Sequence, residues 1–251
     1  VKLALIISSL ILSLGNPGEE VVFFEDFSDK TLNEAHWNYE LGDGCPNLCG
    51  WGNNERQVYT RSNIEIKNGH LIIKATKNGS LYESGRITTK DKIEFRYGVV
   101  EVRAQLPEGK GLWPAIWMLG NDIDSLKWPA CGEIDIMEYA GKEPGYIHTS
   151  LHTPSSFGNP YNTRKTFVDG IEEGFHIYKV NWTQDRIEFY IDEGLVYSFS
   201  PKLKDNTNWP FNKPFYVILN MAIGGNFGGP EVDDSIFPKE FKIDYVKIYK
   251  P

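Results

Sequence analysis

The segment Cys131-Gly-Glu-Ile-Asp-Ile-Met-Glu-Tyr-Ala-Gly141 sets three carboxylic acids, Glu133, Asp135 and Glu138, close together in the chain. In a strand, side chains alternate between faces, so Glu133 and Asp135 share one face while Ile134 and Ile136 take the other. Strict alternation would send Glu138 into the core, where an unpaired carboxylate is costly. A one-residue bulge at Met137 returns Glu138 to the face of the other two acids. No Lys or Arg lies between Glu133 and Glu138, so the acids repel one another and the pKa of at least one rises. A plain solvated acidic strand would normally carry that counter-charge. One raised acid and one ionised carboxylate are what glycosidic bond cleavage needs: a proton for the leaving oxygen, and a carboxylate to attack or to activate water. Strand rise separates the two Glu Cα atoms by roughly 13 Å, so their side chains must lean together to reach the ~5–5.5 Å of a retaining pair.

The elements that must hold these acids read as strands and turns. From Asn63 to Ala75, Ile64 and Ile66 alternate with polar residues, Asn68-Gly69 makes a tight turn, and Leu71, Ile73 and Ala75 alternate again, which predicts a hairpin. Residues 186–191 and 195–199 around Asp192-Glu193-Gly194 predict another, and Phe215 to Ala222 and Phe241 to Tyr249 supply further strands. About a dozen such segments are too many for one twisted open sheet. The expected fold class is all-β: a β-sandwich of jelly-roll type with a concave cleft. The chain has 251 residues with 41% hydrophobic and 24% charged side chains, enough for a substantial core, and no linker divides it. We expect residues 19–251 to form a single domain. The net charge of -8 argues against a nucleic-acid partner. Lys2 followed by the uncharged run Leu3 to Leu14 has the pattern of a signal peptide ending near residue 18, too short to span a bilayer. That predicts a secreted, extracellular or periplasmic protein with no membrane contact once the segment is removed. Of three cysteines, Cys45 and Cys49 are the most local pair, leaving Cys131 over, although spacing alone does not establish the bridge.

At this point the sequence resembles glycoside hydrolase family sixteen, in its laminarinase (endo-β-1,3-glucanase) branch. The resemblance runs from Phe23-Phe-Glu-Asp-Phe through Trp51-Gly-Asn-Asn-Glu55, Ser84-Gly-Arg-Ile87, Gly111-Leu-Trp-Pro-Ala-Ile-Trp-Met-Leu119 and Gly132-Glu-Ile-Asp-Ile-Met-Glu-Tyr139 to Phe241-Lys-Ile-Asp-Tyr-Val246. Related lichenases and xyloglucan transglycosylases lack the inserted Met, so this chain is similar to the bulged branch that also holds agarases and carrageenases. The resemblance implies a retaining double displacement, with Glu133 as nucleophile, Glu138 as acid/base and Asp135 hydrogen-bonded near the nucleophile. It also implies a monomer acting on β-1,3-glucan without a catalytic cofactor, laminarin being cleaved first and mixed-linkage glucan second.

Aromatic residues are the second signal: 14% of the chain, with 7 Trp and 13 Tyr. The apolar face of a sugar stacks on an indole. Trp113 and Trp117 fall on one strand face, where core packing is the plainer reading; the resemblance places both, and Trp128, in the cleft. By the same resemblance Asn54, Arg86 and His152 hydrogen-bond around the reacting sugar, and Glu55 is a cleft acid or supports one. His148 and His152 lie roughly 13 Å apart on an extended strand, too far for one tetrahedral zinc. The family pattern instead implies a structural calcium on the convex face at Glu25, the Gly69 carbonyl and Asp244, which otherwise read as ordinary surface acids beside a turn. A protein of another class, a non-hydrolytic glucan-recognition module, would use the same sandwich. Such relatives have lost catalytic glutamates, whereas both are present here. A transglycosylase, agarase or carrageenase of the same fold would share the motif.

Overall fold

The computed structural model describes residues 19–250, so the segment read as a signal peptide lies outside the described residues. Two sheets are formed, one of 8 strands and one of 10. The acid strand Glu133–Tyr139 lies inside the smaller sheet, between Leu112–Gly120 and Tyr146–His152. Phe215–Ile223, Arg86–Thr88 and Asn38–Tyr39 continue the sheet on one side, and Thr163–Phe167 closes it on the other. Nearly all strand neighbours are antiparallel; Gln57–Tyr59 runs parallel to Leu81–Ser84. The expected hairpins form as Ile64–Lys67 with His70–Asn78 and Ile187–Ile191 with Gly194–Phe199. Asn68 and Gly69 both adopt positive φ (56° and 74°), the turn geometry that the Asn-Gly pair favours.

The core fills the space between the sheets because each strand turns alternate side chains inward. Ile116, Met118, Ile134, Val217, Leu219 and Met221 meet Ile73, Val100, Val102, Val180, Phe241 and Val246 from the larger sheet. A smaller cluster of Leu119, Cys131, Tyr216 and Ile218 lies on the opposite face of the smaller sheet. Burial of Cys131 and the neighbouring Glu133 push its thiol up to about 12, so it stays protonated and unreactive. Cys45 and Cys49 form a disulfide. Among the described residues, no helix is long and apolar enough to cross a membrane.

Candidate active site

The register around the acid strand contains the extra residue. Asp135 pairs with Ser150 and Glu138 with His148, so Ile136 and Met137 together oppose Thr149. Against the other neighbour, Met137 pairs with Ile116 and Asp135 with Trp117, and Ile136 is passed over. The bulge thus spans Ile136–Met137, and the residue skipped on this side is Ile136 where the sequence reading assigned Met137. Both side chains are buried in the core, which returns Glu138 to the face of Glu133 and Asp135.

On that face Asp135 is buried, and Glu133 and Glu138 are half-buried. Burial pushes Glu133, Asp135 and Glu138 each up to about 8; Asp135 adds repulsion at both glutamates, and His152 opposes it at both. The two glutamates nevertheless stand in different surroundings. The Trp113 indole donates to Oε1 of Glu138 at 3.1 Å, leaving Oε2 to carry a proton. Beside Glu133, His152 Nε2 lies 3.5 Å from Glu133 Oε1 and 3.2 Å from Asp135 Oδ2. The Gly158 amide donates to His152 Nδ1 at 3.2 Å, so in the neutral ring Nε2 bears the proton on the side of the two acids, and Asp135 Oδ2 is left without a hydrogen-bond partner. Glu133, Asp135 and His152 have ligand atoms within 4.8 Å of one another, the spacing of a metal site. A metal-bound histidine normally donates its second ring N–H; here that nitrogen accepts, and the trio is built to share protons.

The other expected residues divide between the cleft and its support. Trp117 donates from Nε1 to Asn220 Oδ1 at 2.7 Å. The Arg86 guanidinium is held between rings, 4.3 Å from the Trp51 centroid and 4.9 Å from that of Trp117, and forms an ion pair with Glu40. Trp128, 41% exposed, packs against His152 and Phe157. Glu55 is half-buried beside Gln57 and Tyr59; desolvation raises its pKa, and Arg86 is the largest effect lowering it. Asn54 stands at the rim, its amide donating to Asn226 Oδ1 at 2.8 Å. Asn226 belongs to the glycine-rich turn 224–229, in which Gly225 has φ +76° and a Cβ would meet the Asn53 carbonyl at 2.9 Å. The same turn carries Phe227, packed against Trp113 and His148. Sequence reasoning missed Asn220, Tyr59, Trp51 and Phe227. Asn220 had a signal, a lone polar residue in the apolar strand Phe215–Ile223, where burial demands a partner.

The residues expected to hold calcium lie away from the acids, on the larger sheet. Glu25 pairs in register with Val246, two residues from Asp244, and Asp244 touches His70 next to Gly69, so the three reach one corner. Oxygen donors of this kind suit a hard cation. The carboxylates already have partners: Asp244 with Arg103 and His70, Glu25 with His36 and the Phe27 amide.

A jelly-roll sandwich with two half-buried glutamates flanking a buried aspartate on one sheet face, Trp113 on one glutamate and His152 beside the other, has the make-up of a glycoside hydrolase. The sequence pattern of Glycosyl hydrolases family 16 matches residues 52–247, and the chain belongs to that family. It is similar to the crystal structure of a laminarinase from Flavobacterium sp. UMI-01, with 57% identity and a TM-score of 0.91 over 92% of this chain and 100% of that one. It is also 38% identical to a beta-glucanase of Rhodothermus marinus, over 93% of this chain and 86% of that protein. A glucan endo-1,3-beta-glucosidase A1 of Niallia circulans is 37% identical over 95% of this chain, which spans 40% of that protein's length.

Proposed function

We propose that this chain is a retaining endo-glycoside hydrolase that cuts internal β-1,3-glucosidic bonds of laminarin-type polysaccharides, and mixed β-1,3/1,4 bonds second. The observation that carries this reading is the bulge at Ile136–Met137, which puts Glu133, Asp135 and Glu138 on one face of the sheet. The likeness to laminarinases and beta-glucanases supports the choice of glucan.

The step follows from the surroundings of each acid. Glu138, its Oε1 engaged by Trp113, delivers the Oε2 proton to the glycosidic oxygen as that bond breaks. Glu133, with His152 Nε2 3.5 Å from its Oε1 and Asp135 next to it on the same face, attacks the anomeric carbon. Asp135, buried between the nucleophile and the His152 ring, keeps its proton and hydrogen-bonds near Glu133, tuning its charge. Glu138, now ionised, takes a proton from water, which opens the glycosyl ester and restores both acids with the anomer retained. Trp113, Trp117 and Trp128 supply stacking surfaces, and Arg86, Asn54 and His152 supply donors around the sugar.

Export to the extracellular or periplasmic space and action as a monomer belong to the same proposal, supported by the Cys45–Cys49 disulfide and the apolar run near the start of the sequence. So does a structural calcium at Glu25, Gly69 and Asp244, whose binding displaces the Arg103, His70 and His36 partners. Reducing-sugar release from laminarin, barley mixed-linkage glucan, agarose and carrageenan tests the assignment. Laminarin is cleaved fastest on this reading; preference for a galactan would overturn it.

A further inference from the structure

A run of hydrogen bonds beneath the cleft has its direction fixed at both ends. The Trp117 indole can only donate, so Asn220 must accept through Oδ1 (2.7 Å). The Asn220 Nδ2 then donates to the Tyr59 hydroxyl (3.0 Å), whose own proton goes to Glu55 Oε2 (3.2 Å). From the other side, the backbone amide of Ile223 donates to Gln57 Oε1 (2.7 Å), which leaves Gln57 Nε2 to donate to the same Glu55 oxygen (2.6 Å). Two groups that can only donate thus set every amide flip between them, and every proton points toward one carboxylate. Gln57, Tyr59 and Asn220 are buried, so a broken link would leave a polar atom without water to replace it. Trp117 stands opposite Asp135 on the neighbouring strand, with Arg86 over its ring.

We infer that Tyr59 and Asn220, acting from the Glu55 carboxylate, are positioning residues that fix the tilt of the Trp117 indole on which a glucosyl unit beside the reacting one stacks. The inference rests on the glucanase reading for its ligand; the hydrogen-bond chain itself does not. Tyr59→Phe removes one hydroxyl and keeps the ring, so it separates the link from the packing. Asn220→Leu breaks the next link.

The test uses the full chain with 15N-labelled tryptophan and a β-1,3-gluco-oligosaccharide series. In Tyr59→Phe the Trp117 indole N–H resonance shifts upfield, and KM rises about three- to tenfold, the worth of one hydrogen bond, with kcat within about twofold. In a Trp117→Phe background, which lacks the indole N–H, Tyr59→Phe adds nothing further, an effect that a general loss of stability would not produce. An unmoved resonance in Tyr59→Phe, or an equal KM penalty with and without the Trp117 indole, would overturn the inference. Failure of the wild-type chain to cut any β-glucan would instead defeat the glucanase reading, while the substrate-free resonance still decides the chain of bonds. Should Asn220→Leu fold poorly, Tyr59→Phe and the double variant carry the decision.

Discussion

At the scale of single residues, the site trades stability for chemistry. Burial, joined at the two glutamates by repulsion from Asp135, pushes Glu133, Asp135 and Glu138 each up to about 8 in the folded chain, against about 4 when unfolded, and the coupled trio loses its protons in steps, the first of which must leave Glu133 for it to attack. Between those values the folded state binds more protons, so their contribution to stability is complete below about pH 4 and declines as pH rises toward 8. Glu133→Gln, uncharged at every pH, therefore raises Tm near pH 8 by on the order of 5 °C and hardly at pH 4, which calorimetry at the two values checks. The same substitution, or Glu138→Gln, lowers kcat by on the order of a thousandfold or more, because each removes a reacting group. For the wild-type enzyme, kcat/KM on a β-glucan is bell-shaped, falling on the acid side as Glu133 takes up the proton it must lack to attack, and above about pH 8 as Glu138 loses the proton it must deliver; a flat profile through pH 9 would remove Glu138 from the acid role.

At the scale of elements, the bulge joins sequence to mechanism. Deleting Met137 yields Glu-Ile-Asp-Ile-Glu, in which plain alternation puts all three acids on one face. The variant also loses a buried apolar side chain, at about 2–5 kcal/mol. We expect a folded protein with a lower Tm and weakened but measurable hydrolysis, read by circular dichroism and sugar release. Complete inactivity in a well-folded variant would show that the bulge geometry itself is required. The need for a bulge was legible because Glu133, Asp135 and Glu138 lie in one strand whose period of two Glu138 breaks, though which residue is passed over was not. The Asn68-Gly69 hairpin was legible for the same local reason. The supports were not: Tyr59 meets Asn220 across 161 positions of sequence, and the Gly158 amide that fixes the His152 proton is a backbone group. Trp51 reaches Arg86, and Phe227 reaches Trp113 and His148, only through loops. No period in the sequence encodes such contacts.

At the scale of the whole molecule, the two sheets carry separate duties. The smaller holds the chemistry on one face, while the larger carries the corner of Glu25, Gly69 and Asp244. If calcium binds there, chelation lowers Tm by mass action without altering turnover at moderate temperature; identical melting curves with and without chelator would delete the ion. The central claim is that Glu133 attacks from one face of the sugar while Glu138 acts from the other, twice, through a covalent intermediate. Nuclear magnetic resonance of freshly released ends from a β-1,3-glucan tests this most directly. The account predicts that the β-anomer appears first and the α-anomer grows in only by mutarotation. Initial α-anomer would mean a single inverting displacement, and Glu133 would not be the nucleophile.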